Sequence, residues 1–328
     1  MTTIIIKSGT HGATEITNQE FQMLRAPREG KNGWYVTVDG APVNMDRTIR
    51  VKINHEQDVV RCAAVANTAP VIERTDDEIM DAMRQRFGVL DQMTYASLNG
   101  TVRGLIVTGP PGIGKSYGIE QILDEANVLL KMSDTGAKVD VEKGSASAIG
   151  LYQMLYRYSK PGSVLVLDDS DTILYDETSL NLLKAALDSG KTRRLSWRSE
   201  SNALKDADIP NSFEFRGAII FVTNLDFEKT RGKIGTHLDA LISRCHYLDM
   251  GITGTHEKVL RCKQIVADGM LNRYQFTQEQ QAEIVEFIID NQASLREISL
   301  RMVTKIADLY KMDAANWKSL ANATCVRG

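Results

Sequence analysis

An α/β fold is predicted: a three-layer sandwich of helices around a parallel sheet, with a small β-rich unit ahead of it and a helical lid after it. Two patterns predict this. Between about residues 100 and 250, short apolar runs alternate with helical periodicities, as a parallel sheet covered on both faces requires. Beyond Gly254 the strand-like runs stop and only helical patterns follow. Domain boundaries are expected at 1–72, 73–252 and 253–328.

In the first unit, Trp34–Val38 and Thr48–Ile53 alternate like half-buried strands, Asp39-Gly40 and Pro42 supply turn chemistry between them, and Ile4–Lys7 offers a third strand. Asp76 and Asp77 suit the start of a helix running to about Met93. The central strands are expected at Leu105–Thr108, Val139–Val141, Val164–Leu167, Ala218–Val222 and Tyr247–Met250, with helices over Ser116–Ala126, Ala146–Tyr158 and Leu180–Asp188. Four lid helices follow at Thr255–Asp268, Thr277–Asn291, Leu295–Tyr310 and Ala314–Ala321.

Composition excludes several classes. The 328 residues are 43% hydrophobic and 25% charged, ordinary for a globular protein. A net charge of −3 gives no global basic field, so nucleic-acid contact requires a local patch. Cys62, Cys245, Cys262 and Cys325 are widely spaced and read as reduced thiols, not as a disulfide frame or zinc site. No apolar run approaches the roughly 20 residues that span a bilayer. The start, Met1 to Ile6, lacks signal-peptide features, so a cytoplasmic location is expected.

Gly109-Pro110-Pro111-Gly112-Ile113-Gly114-Lys115-Ser116 fits the phosphate-loop pattern and makes a nucleoside triphosphate the expected ligand. It lies between an apolar strand and a helix beginning near Tyr117. Gly112 and Gly114 let successive N–H groups turn toward phosphate oxygens, and the helix N-terminus adds partial positive charge. Lys115 would reach the β- and γ-phosphates, and Ser116 would offer its hydroxyl to Mg²⁺. The strand Val164–Leu167 ends in Asp168-Asp169, where ligands bind in open α/β sheets. Asp168 would hold Mg²⁺ through its water shell and Asp169 would polarise the attacking water, with Asp171 close enough to compete. The strand Ala218–Thr223 ends at Asn224, whose amide could bond both the γ-phosphate and the lytic water.

With Leu241-Ile242-Ser243-Arg244-Cys245 added, the order of motifs resembles the AAA+ ATPases, including those encoded by bacteriophages, over about residues 76–325. The resemblance implies ATP and Mg²⁺ as cofactors, Gly109–Ser116 as Walker A, Asp168 and Asp169 as Walker B and Asn224 as sensor 1. Arg244, in a Ser-Arg-Cys similar to that of clamp loaders, is implied to be an arginine finger reaching a neighbouring subunit's γ-phosphate in a ring, expected to be hexameric. Arg296, in Ser294-Leu295-Arg296-Glu297, matches the position of sensor 2, and Arg301 is the alternative. Two departures stand out. Asp169 replaces the usual Glu, which favours slow or partner-stimulated hydrolysis. Glu142-Lys143-Gly144-Ser145-Ala146 lacks the aromatic grip of protein-unfolding members.

In Lys191–Arg198, Arg194 and Arg198 fall on one face of an alternating strand and Leu195 and Trp197 on the other. With Lys143 and Arg193, these arginines could line a ring pore that tracks DNA, and Trp197 could stack on a base. Three functions stay open: an ATP-driven loader or helicase-like motor of DNA metabolism, a remodelling chaperone using residues 1–72 as a protein adaptor, and an ATP-gated assembly scaffold.

Overall fold

A five-stranded parallel sheet carries the larger of two units, Arg74–Gly328, and an antiparallel sheet carries the smaller, Met1–Glu73. The computed structural model describes residues 2–327 apart from 13, 31–32, 41–42, 44–47, 62–73, 134, 226, 228–229 and 231. Cys62 and Pro42 lie outside the described residues.

The smaller unit comprises β1 (Thr2–His11), β2 (Thr14–Gly30), β3 (Gly33–Val38), β4 (Ile49–Ile53) and β5 (Val59–Arg61). They run in the order β2-β3-β4-β1-β5, and β2 also pairs with β1, which closes the sheet on itself. Ile4, Ile6, Phe21, Val36, Val51 and Ile53 fill the interior. The 17-residue β2 was not expected from the sequence. Ile16 and Phe21 are its buried positions, five apart rather than alternating, and its register shifts between Met23 and Arg25 and again before Arg28. Asn18, in left-handed backbone (φ +49°) between Ile16 and Phe21, interrupts the alternation there, and the bulges further along bend the strand so that it pairs on both edges.

In the larger unit, α1 (Asp76–Leu98) starts at Thr75, whose hydroxyl accepts from Glu78 N while the Glu78 carboxylate accepts from Thr75 N. The sheet strands are β6 (Gly104–Thr108), β7 (Val139–Lys143), β8 (Val164–Asp168), β11 (Ala218–Thr223) and β12 (His246–Asp249), all paired in parallel in the order β12-β6-β11-β8-β7. Along β8 and β11, Leu165, Leu167, Ile219 and Phe221 face one side, where they meet α3 (Ala148–Arg157) and α4 (Glu177–Ala186). Val164, Val166, Ile220 and Val222 face the other, with α1 and α2 (Lys115–Met132). Burial on both faces explains why these strands read as continuous apolar runs. Truncating such a side chain to alanine costs about 2–5 kcal/mol.

Between β8 and β11 a two-stranded ribbon forms from β9 (Arg194–Ser196) and β10 (Ser212–Glu214), flanking α5 (Asn202–Asp206). The helix α6 (Gly232–Ile242) leads into β12, and α7 (Thr255–Ala267), α8 (Gln278–Asp290), α9 (Leu300–Met312) and α10 (Trp317–Cys325) pack as a helical lid around Leu271, Ile284, Val303 and Ile306. The third lid helix begins at Leu300 and not at Leu295. Residues 294–297 are tied to the chain end by the Leu295–Val326 bridge, and Ser299 caps the helix by accepting from Met302 N.

Candidate functional site

The phosphate loop connects β6 to α2. Gly112 (φ +72°) and Gly114 (φ +99°) hold left-handed backbone, and Gly114 occupies the cap position of α2. Both are also crowded by the lid. A Cβ at Gly112 would lie 2.5 Å from Ser299 Cβ, and one at Gly114 3.2 Å from Leu300 Cδ1. The Leu300 N–H donates to Gly112 O at 2.7 Å, so the start of α9 is joined to the loop by its backbone.

Lys115 is only 6% exposed. Its ammonium donates to Gly109 O (2.6 Å), Pro110 O (2.9 Å) and Asn224 Oδ1 (2.9 Å). Burial pulls its pKa down to about 8, against the opposing pull of Asp169 and Asp168. The Asp168 carboxylate sits beside Ser116, and desolvation raises its pKa from the ordinary carboxylate range. Lys143, at the end of β7, lies 3.6 Å from Asp168 and 2.6 Å from Glu120. A hydroxyl beside a partly desolvated carboxylate suits a hard cation such as Mg²⁺. Among the described residues no group of three or more His, Cys, Asp or Glu side chains could hold a metal by itself, so the remaining ligands would be phosphate oxygens and water.

Asp169 follows β8 in the left-handed region (φ +50°), a conformation costing about 1–3 kcal/mol for a residue with a side chain. Its N–H donates to Val222 O at 3.1 Å, and its carboxylate accepts from Asn224 Nδ2 at 3.0 Å. Asn224 therefore bridges Lys115 and Asp169, its oxygen toward the ammonium and its nitrogen toward the carboxylate. Asp171 instead accepts from Thr223 Oγ1 at 2.6 Å and does not line the cavity.

These groups face a cavity of about 720 Å³ roofed by the lid, with Pro111 and the exposed Tyr117 on its wall. Gly109 and Pro110 contribute their carbonyls to Lys115, while Ile113 is buried beneath the loop. Arg296, expected to face the nucleotide, does not. It is exposed and donates to Thr324 O at 3.2 Å, in the segment tied to the chain end. Arg301, in the first turn of α9, lines the cavity together with Arg273. Arg244 also stands apart from the cavity. It is exposed in the turn between α6 and β12, where it donates to Ala240 O at 2.7 Å beside a second hollow lined by Arg103 and Asp188.

Arg261 was missed by sequence reasoning. Buried on α7, it donates to Ile113 O at 3.2 Å and to Gln264 Oε1 at 2.6 Å, over the Phe87 ring. A lone arginine among Val259, Leu260 and Cys262 was the available signal. The ribbon also corrects one expected DNA contact: Arg193 is buried, donating to Ala186 O and Gly217 O. Lys143 stays exposed while it pairs with Glu120. Trp197 packs against Tyr152, at 5.7 Å between ring centroids, rather than facing a base. Arg194 and Arg198 remain exposed.

A parallel sheet with a phosphate loop after its first strand, paired carboxylates after its third, an asparagine after its fourth and a helical lid over the loop is an AAA+ fold of the P-loop class. No family model matches the chain. It belongs to the family of the uncharacterized 36.7 kDa protein of the nrdC–mobD intergenic region of Enterobacteria phage T4, with 34% identity over 255 residues, 76% of each chain. Similar solved structures include a DNA replication initiation factor (12% identity, 74% of this chain and 65% of that one, TM-score 0.43). Others are AMPPCP-bound DnaA from Aquifex aeolicus (12%, 72% and 64%, 0.44) and domain III of the Thermotoga maritima replication initiation protein DnaA (11%, 76% and 92%, 0.42). The chain thus spans just under two thirds of the first two. Among the described residues no helix is long and apolar enough to cross a membrane.

Proposed function

We propose that the chain is a Mg²⁺-dependent ATPase that hydrolyses ATP at the subunit interfaces of a homo-oligomeric ring of six, acting on DNA in the host cytoplasm. The observation that carries this reading is the convergence of Lys115, Ser116 with Asp168, and the Asn224–Asp169 pair on one lid-covered cavity, while Arg244 stands exposed elsewhere. Lys115 would exchange its loop carbonyls for phosphate oxygens. Asp169 and Asn224 would position the water, and Ser116 and Asp168 would hold Mg²⁺, which supplies charge neutralisation on the β- and γ-phosphates. Arg301 replaces Arg296 as the lid arginine on the nucleotide. The phage relative supports action inside an infected host, and the exposed Arg194 and Arg198 support DNA as the polymer acted upon.

Mixing two inactive variants tests the shared site. Lys115→Ala retains a finger and Arg244→Ala retains a phosphate loop, so mixed rings contain complete interfaces and regain Mg²⁺-dependent ATP turnover. Mixtures as inactive as their components would refute hydrolysis in trans.

A further inference from the structure

The smaller unit carries a second charged surface that takes no part in the cavity. The paired positions Arg28–Tyr35–Lys52 and Arg25–Thr37–Arg50 form two cross-strand rows on β2, β3 and β4. The charged members of both rows lie on the outer face, opposite Val36, Val51 and Ile53 in the apolar interior, while Thr37 is itself buried. Arg25, Arg28, Arg50 and Lys52 are all exposed, and among the described residues none of them forms an ion pair. The Arg28 and Arg50 guanidinium carbons lie 5.0 and 5.5 Å from the Tyr35 ring centroid.

Four like charges on three adjoining strands repel one another, and among the described residues no ion pair offsets them. Their arrangement is regular. Successive outward positions on one strand are about 6.6–6.8 Å apart and adjacent strands about 4.8 Å apart. The pair Arg50 and Lys52 thus repeats at nearly the spacing of successive phosphates along an extended single strand. Guanidinium planes held over a tyrosine ring also present flat faces on which unpaired bases stack.

The geometry points to this face as a binding site for single-stranded nucleic acid, phosphates on Arg25, Arg50 and Lys52 and bases against the Arg28–Tyr35 cluster. It extends the DNA-acting reading to a unit outside the ATPase core, and binding here needs neither ATP nor the Arg194–Arg198 ribbon.

The test is fluorescence anisotropy of labelled oligo(dT) with the full chain, without nucleotide and across salt. Three phosphate contacts give a log–log salt slope of about −2. Arg50→Glu with Lys52→Glu weakens binding at least about tenfold and flattens the slope by about 1.4. Arg25→Gln with Lys52→Gln, which leaves the Tyr35 cluster intact, produces a smaller change in the same direction. Neither pair alters ATP turnover measured without DNA. Arg194→Glu with Arg198→Glu leaves this binding in place, so failure of the ribbon and failure of the barrel face are told apart. Unchanged affinity in both barrel variants overturns the proposal, as does equal binding of duplex DNA or poly-glutamate.

Discussion

Lys115 and Arg261 around the phosphate loop are buried and bond to oxygens of the protein itself, whereas Arg25, Arg28, Arg50 and Lys52 on the barrel face are exposed, with Arg28 and Arg50 over one tyrosine ring and, among the described residues, no ion pair. The first arrangement stores charge in a desolvated, bonded state that a ligand can take over with little rearrangement, so its effects are local and large. The second leaves charge in water, where it attracts polyanions over a Debye length and weakens with salt. Arg244 resembles the second group in exposure, yet the proposed chemistry asks of it what is asked of the first. That contrast makes it the most informative residue to change.

The largest expected effect is therefore at Arg244. Its replacement by alanine lowers ATP turnover by about 10³–10⁵ with little change in ATP affinity, because the finger acts on transition-state charge. Single-turnover assays on assembled protein separate the two quantities. A loss below tenfold would place Arg244 with the solvated surface cations instead.

Asn224→Ala comes next. It removes the bridge between Lys115 and Asp169, and turnover falls by about 10²–10³, the usual loss for one preorganised hydrogen-bond group at a reacting centre. Asp171→Asn, by contrast, leaves turnover within about threefold, since its carboxylate is occupied by Thr223 outside the cavity. If the Asp171 variant were the more damaged, the water-positioning role would belong there.

The lid arginines sharpen the comparison at intermediate size. Arg301→Ala weakens ATP binding by about ten- to a hundredfold, the worth of one hydrogen bond to a charged group, and Arg296→Ala leaves it unchanged. Nucleotide titration of both variants checks the assignment. The ambiguity has a plain origin: Ser-Leu-Arg occurs twice, at 294–296 and at 299–301, and each copy reads locally as a capped helix start. The choice is made by the Leu295–Val326 bridge, a long-range pairing that local pattern does not contain. The same limit hid Thr14–Gly30, whose strand character depends on bulges and two partners. By contrast, the five core strands and the groups at their tips were legible. Two-face burial writes itself as apolar runs, and the loop chemistry is contiguous. Arg193, expected at DNA, is bonded inside the protein for a related reason. Charge in a sequence does not say whether a carbonyl or a carboxylate waits nearby.

The smallest effect separates buried from solvated charge by pH. Lys115 has its pKa lowered to about 8 from an ordinary 10.5, with desolvation as the main cause. In the ATP complex the phosphates hold it protonated. ATP affinity is therefore full well below pH 8 and declines through it, by about fivefold between pH 8 and 9 and approaching tenfold per pH unit above that. Stability of the ligand-free chain moves oppositely. Between about pH 8 and 10.5 the unfolded lysine binds more protons than the folded one, so this residue's contribution to stability improves as pH rises. Lys115→Arg keeps its charge throughout and flattens both profiles, whatever its absolute affinity. Equilibrium binding and thermal unfolding over pH 7–10 read the two trends together. Their opposition distinguishes a desolvated lysine awaiting phosphate from one merely screened by solvent.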